Sequence, residues 1–283
     1  MVMGRGSGSG VADGEHIGAF YYLRRHLAFL LIGGGLLWLA AKIELRFIEK
    51  FHFLLVLAAV ALLLAVYLPG VGIRINGARR WLNLGVTGFQ PVEAVKIVVV
   101  IYIASYLVRH RDGVEEKFFG AFKPVIIALL FAVMLLAQPD FGSAALILAV
   151  TVGMIWLGGA RMRNLVLMAL PLVPLGAWVA TSQNYRLQRL TSFLDPWQDP
   201  FANGFQLTQA LIAIGRGEWF GVGLGASVQK LFYLPEAHTD FILAVIAEEL
   251  GLVGVLLVLG LYALLVTRGM LLGMRGVAVG QPF

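Results

Sequence analysis

The sequence predicts an all-α fold, a polytopic membrane helix bundle of about seven spans with one long external loop. Composition gives the first reason. The 283 residues are 59% hydrophobic and only 13% charged, with a mean hydropathy of +0.85. Soluble domains run at roughly half apolar and a quarter charged, so this excess needs a non-aqueous solvent. The second reason is distribution. The apolar residues gather in runs approaching the roughly 20 residues that a helix needs to cross a bilayer core.

In order, the spans fall at residues 26–43, 51–68, 92–108, 124–137, 142–159, 165–180 and 241–267. Residues 1–25 read as an external, flexible N-terminal segment with a Gly/Ser tract and no signal-peptide pattern. Residues 26–283 read as a single membrane domain, in which 181–240 form the large polar external loop. The fourth and fifth spans are joined only by Gln138–Pro139–Asp140–Phe141. Such a Pro-containing break is either a hairpin or a broken helix lining a cavity.

Several function classes drop out. The net charge of +6 is scattered between apolar runs, which suits membrane topology and anionic phosphates rather than nucleic acid. The absence of cysteine excludes disulfides, thiolate nucleophiles and Cys-based zinc sites. The five histidines lack the H-E-x-x-H spacing. Alternate sides of the membrane carry nearly equal totals of Lys and Arg. One set (Lys42, Arg46 and Lys50; Arg109 to Lys123; Arg161 and Arg163; Arg268 and Arg275) sits in short loops, which places it in the cytoplasm and residues 181–240 outside. The loop 69–90 then holds Arg74, Arg79 and Arg80 outside, against that preference, as an anion site would.

Individual residues carry open alternatives. Lys96 lies three residues after Glu93 in an apolar span, so the two share a helix face. The lysine either faces a cavity or only pairs with its neighbour, since a bare ammonium in hydrocarbon is costly. The expectation is that it is buried. Asp140 caps the following helix, with or without a further role. Arg79, Arg80 and Trp81 either fork phosphate or anchor the chain at the headgroups. The Gly221, Gly223 and Gly225 string has no βαβ unit around it and reads as a turn. Asp240, after His238 and at the start of the last span, is either a cap or a base acting at the membrane surface. Glu248 and Glu249 lie within that span, with a structural pairing as the default.

Longer motifs now join these residues. They are Gly77–Ala78–Arg79–Arg80–Trp81–Leu82, then Gln90–Pro91–Val92–Glu93–Ala94–Val95–Lys96, then Gln138–Pro139–Asp140–Phe141–Gly142. Tyr185–Arg186–Leu187–Gln188–Arg189, Asp195–Pro196–Trp197, the run from Gln229–Lys230 to His238–Thr239–Asp240–Phe241, and Glu248–Glu249–Leu250–Gly251 follow. Together they resemble the SEDS family (shape, elongation, division and sporulation), its division branch more than its elongation branch. The resemblance implies a peptidoglycan glycosyltransferase that polymerises lipid II in the bacterial cytoplasmic (inner) membrane, at the division septum, with its active face outside. The family's essential aspartate falls on Asp240. Its S-E-x-x-K motif falls on Glu93 and Lys96, with Val92 in place of the serine. The seven spans correspond to the second through eighth of a usual ten.

The implied mechanism is inverting transfer, with Asp240 as base. Arg79, Arg80, Trp81, Glu93, Lys96, Asp140, Arg186, Arg189, Lys230 and His238 are the implied substrate-binding residues. A divalent cation, magnesium or manganese, fits the pyrophosphate. The implied partners are a class B penicillin-binding protein transpeptidase and other divisome membrane proteins. Two rivals are a lipid II flippase and a non-catalytic scaffold for a division transpeptidase. A flippase lines its path with polar groups reachable from both sides, and the nearly charge-free spans here favour the enzyme.

Overall fold

Backbone groups in hydrocarbon have no water to bond, so apolar runs become helices whose hydrogen bonds are internal. This computed structural model describes residues 21–75, 78–83, 88–181, 188, 191–202, 204–229 and 240–278. The chain divides into two units, residues 1–50 and 51–283. The first holds α1 (Tyr21–Lys42) and the short α2 (Leu45–Lys50). Leu31, Leu36, Leu37 and Trp38 of α1 are all exposed. A helix apolar all round is what lipid selects. Lys42 ends it with its ammonium 4.0 Å above the Trp38 ring, a cation–π contact at the helix C-terminus, where positive charge is favoured.

In the second unit α3 (His52–Ala65), α4 (Pro91–Arg109), α6 (Phe118–Ala137), α7 (Phe141–Leu157) and α8 (Met162–Thr181) form the bundle, with the short α5 (Arg111–Glu116) between α4 and α6. Each of the seven expected spans has become a helix. Val56, Ala59 and Leu63 of α3 meet Val92, Val95, Val99 and Ile103 of α4. Phe131, Leu135 and Ile147 of the α6–α7 hairpin close this core. The three- and four-residue spacing puts each set on one helix face. The opposite faces, such as Leu54, Leu57, Ile97 and Val133, are apolar and exposed. A second core at the other end joins Tyr106, Val114, Ala121, Val125, Ile155 and Leu165.

The fourth span begins at Phe118 rather than at residue 124, which makes it 20 residues long. Lys123 and Pro124 hide this extension in the sequence. Pro124 has no N–H for the carbonyl of Gly120, four residues back. The Tyr106 hydroxyl donates to that carbonyl at 2.9 Å instead. The break at residues 138–140 is a hairpin between antiparallel helices.

The loop after α3 is a three-stranded antiparallel sheet, β1 (Gly72–Ile75), β2 (Ala78–Asn83) and β3 (Gly88–Phe89) in that order. Gly72 pairs with Leu82, Arg74 with Arg79 and Leu82 with Phe89, with a bulge between Ile73 and Arg74. The sequence reading left this segment as a loop. Its short strands are interrupted by charge, which hides the alternation.

The long polar segment contains α9 (Phe205–Gly217), which packs Ala210 and Ala213 on Ala244 of α10 (Ile242–Ala278). α10 is broken at Gly251, where φ is 65° and ψ −164°. In an unbroken helix Leu252 and Val253 would donate to the carbonyls of Glu248 and Glu249. Here they donate to Glu218 and Trp219 at 2.9 and 3.2 Å. The carbonyls of Glu248 and Glu249 accept from Val222 and Gly223 at 2.9 and 3.1 Å. Two helical bonds are thus exchanged for four to the loop after α9. That loop is the expected glycine turn, with positive φ at Gly221, Gly223 and Gly225.

Candidate functional site

Asp240 immediately precedes Phe241, whose carbonyl accepts from Ala244 and Val245 to start α10. The aspartate is exposed. It stands outside the first helical turn.

At the start of α4, Lys96 Nζ lies 2.8 Å from each Glu93 carboxylate oxygen. The expected pair is present. The expected burial is not, since the side chains are 31% and 59% exposed respectively. One turn from the helix end, the lysine reaches solvent without crossing hydrocarbon, so this exposed pair contributes about 0.5 kcal/mol or less.

Arg79 and Arg80 are neighbours on β2 at the register irregularity, and the two have different surroundings. Arg80 is partly buried. Its Nε donates to the carbonyl of Gln138 at 3.0 Å and its Nη2 to that of Pro139. Gln138 is buried and donates to the carbonyl of Leu63 at 3.0 Å. Asp140, 8% exposed, accepts from the Ser143 amide at 3.2 Å and caps α7 as expected. One guanidinium therefore ties the sheet to the α6–α7 turn. Two charge-assisted bonds are lost in Arg80→Gln, for which a destabilisation of about 1.5–3 kcal/mol is expected. Arg79→Gln, at an exposed position, is expected to stay within about 0.5 kcal/mol. Thermal unfolding of the solubilised variants checks the contrast, and equal melting temperatures would refute it.

Arg79 instead lines a pocket of about 210 Å³ with Tyr67, Arg74, Ala78, Ala137, Gln138 and Pro139. Arg74 faces it directly across the β1–β2 register. Two arginines thus stand at neighbouring positions of the sheet beside this pocket. A larger cavity of about 520 Å³ opens beside the α10 break, where Ile214, Trp219, Leu252 and Val255 leave Glu218 as the one ionisable group in its lining. Of these two pockets, the smaller carries the arginines. Trp81 packs on Gly88, where a Cβ would come within 3.1 Å of the indole.

Glu248, read from sequence as a pairing residue, takes Arg216 Nη1 at 3.3 Å. Arg216 was not foreseen as its partner. Nothing in the sequence links positions 32 residues apart. Arg186, Arg189, Lys230 and His238 lie outside the described residues. Among the described residues no three His, Asp or Glu side chains form a metal-binding group.

The family model described as "Cell cycle protein" (FTSW_RODA_SPOVE) matches residues 5–283. The chain is 53% identical over 264 residues to the probable peptidoglycan glycosyltransferase FtsW of Xanthomonas oryzae pv. oryzae, covering 93% of this chain and 54% of that protein. It is 46% identical over 283 residues to the protein of the same name from Hahella chejuensis, covering all of this chain and 71% of that one. The chain thus spans between about half and seven-tenths of these relatives' length. A chain from a peptidoglycan synthase complex, solved in work on coordination of polymerization and crosslinking, superposes with TM-score 0.69 at 29% identity over 89% of this chain and 70% of its own. Thermus thermophilus rod shape determining protein RodA gives TM-score 0.55 at 28% identity, over 87% and 64% of the two chains.

Proposed function

The chain belongs to the FtsW, RodA and SpoVE family of cell cycle proteins, and from that membership we propose that it polymerises lipid II as an inverting peptidoglycan glycosyltransferase. What supports the reading is the exposed Asp240 at the head of α10, with Arg74 and Arg79 at the small pocket and the Glu93–Lys96 pair at the start of α4, groups that this reading puts on one membrane face. The spans between are nearly free of charge. That is the layout of a surface site for a lipid-tethered phosphate, not of a polar path through the bilayer.

In this reading Asp240 takes the proton of the acceptor sugar's 4-hydroxyl as that oxygen attacks the donor's anomeric carbon. The new glycosidic bond forms on the face opposite the leaving undecaprenyl pyrophosphate, whose C–O bond breaks and which carries off the electron pair. Arg79 and Arg74 hold the departing charge, with Lys96, Arg186, Arg189, Lys230 and His238 as further contacts. Arg80 and Asp140 keep the turn beneath that pocket in shape, and Trp81 braces the sheet. Preset positive charge at the leaving group is where electrostatic help is largest. A divalent cation, magnesium or manganese, would travel with the pyrophosphate oxygens and its own waters, and no step is routed through it.

The partner in this proposal is a class B penicillin-binding protein transpeptidase, and the place is the division septum of a bacterial cytoplasmic membrane. The test is polymerisation of purified lipid II by the full-length protein, alone and with that transpeptidase. Glycan strands are expected, more of them with the partner. Transport of labelled lipid II across vesicles without polymer would replace the reading by a flippase.

The active face is external in this reading, because the short loops opposite hold the denser positive charge. The chain has no cysteine, so Gln198→Cys, at an exposed position, is expected to react with a membrane-impermeant maleimide in intact spheroplasts. Labelling only after permeabilisation would invert the topology.

A further inference from the structure

Glu248 is 0% exposed, and the chemistry above makes no use of it. A carboxylate buried in a membrane protein is expensive unless several donors meet it. Here they do. Oε1 accepts from Arg216 Nη1 and from the Val228 amide, both at 3.3 Å. Oε2 accepts from the Ser227 hydroxyl. The donors come from the last turn of α9 and from the far end of the glycine loop, two places that no covalent segment of α10 controls.

The break at Gly251 gives this cluster its meaning. It separates the nine residues Ile242 to Leu250, with Asp240 just before them, from the long rod that follows. A helix transmits orientation along its axis only while its hydrogen-bond ladder is continuous. Past the break, the direction of the opening segment must be set by what it packs on. The four backbone bonds at residues 218–223 and 248–253 hold its far end. Ala244 against Ala210 and Ala213, with Phe241 and Val245 packed beside them, is an apolar contact without directional bonds. Glu248 is the side chain whose directional bonds reach both α9 and the loop.

We propose that Glu248 is a positioning residue for the reaction: it sets the rotation of the α10 opening segment against α9, and through it the direction in which Asp240 faces. The proposal rests on Asp240 being the base. A misplacement of about 1 Å at a reacting group can cost on the order of 10²-fold in rate, so a small rotation suffices.

The experiment uses the full-length protein with spin labels at Leu211→Cys on α9 and Leu243→Cys on α10, both exposed positions. The parent is expected to give one narrow label-to-label distance. Glu248→Gln keeps size and one acceptor oxygen but loses the charge that holds Arg216. It is expected to broaden that distance distribution and to lower kcat for lipid II polymerisation by about 10- to 100-fold, with KM within about twofold. Glu248→Asp, which restores the carboxylate, is expected to recover part of kcat. If Glu248→Gln gives no folded protein, Ser227→Ala removes one donor and is expected to broaden the distribution in the same sense. An unchanged distribution overturns the proposal. So does a broadened one with kcat unaltered, which would leave Glu248 a purely structural group. Asp240→Asn is measured alongside. If that variant keeps its activity, the base assignment has failed, and the distance distribution alone decides whether Glu248 orients the segment.

Discussion

Asp240→Asn in the full-length protein is expected to lower lipid II polymerisation by at least about 10²-fold, the loss that removal of a general base brings. The substitution preserves size and removes only the proton acceptor. Asp240 is exposed and stands outside the first turn of α10, so thermal stability is expected to change by no more than about 0.5 kcal/mol. KM is expected to hold, because the pyrophosphate contacts lie on other residues. The decisive comparison is polymer formed per folded molecule. A rate within about threefold of the parent, at equal melting temperature, would remove Asp240 from the chemistry. A matching loss of stability would make it a helix-start residue instead.

Gly251→Ala and Gly221→Ala are expected to be the most damaging substitutions for folding. A Cβ on Gly251 would sit 2.4 Å from the Gly221 amide nitrogen and 2.5 Å from the Trp219 carbonyl. One on Gly221 would sit 2.1 Å from the Glu249 carbonyl oxygen. These neighbours are backbone and cannot rotate away. Both glycines also have φ values, 65° and 79°, that cost other residues roughly 1–3 kcal/mol. Relief requires parting the loop from the break, which strands four backbone groups. A loss of at least about 4 kcal/mol is expected, in the range reserved for named structural failures. Gly260→Ala is the control. It lies in the same helix with nothing within 4 Å of the added Cβ, and the gain in helix propensity of about 1 kcal/mol favours it. Gly251→Ala melting with the parent would show that α10 runs unbroken.

The helices were legible because lipid imposes one simple demand, apolar helix: all seven expected segments are helical, and among the described residues three are long and apolar enough to cross a membrane while four are shorter. The Glu93–Lys96 pair was legible from spacing alone. Its exposure was not, because burial depends on where along the bilayer the helix begins. Arg79 and Arg80 look like one cationic pair in a loop. On the strand Arg80 turns to the α6–α7 turn, and only the partner strand reveals that Arg74 is the arginine in register with Arg79. The extension of α6 back to Phe118 depended on a distant tyrosine serving the carbonyl that Pro124 leaves open. The break in α10 left no mark in Glu248–Glu249–Leu250–Gly251, since Gly254, Gly260 and Gly269 sit in the same helix without interrupting it. What distinguishes Gly251 is a loop some thirty residues earlier, and local pattern carries no record of it.

An uninterrupted rod from Ile242 to Ala278 would measure about 55 Å, nearly twice the roughly 30 Å hydrocarbon thickness. Splitting it at Gly251 leaves 27 residues, about 40 Å, a length that a tilted crossing accommodates. It also sets an order of assembly. During synthesis the downstream rod can enter the bilayer by its hydrophobicity alone. The opening segment can lock only after residues 218–223, made earlier, have come to lie against the break. A chain inserted but not yet docked therefore holds the opening segment, and Asp240 before it, without a fixed bearing.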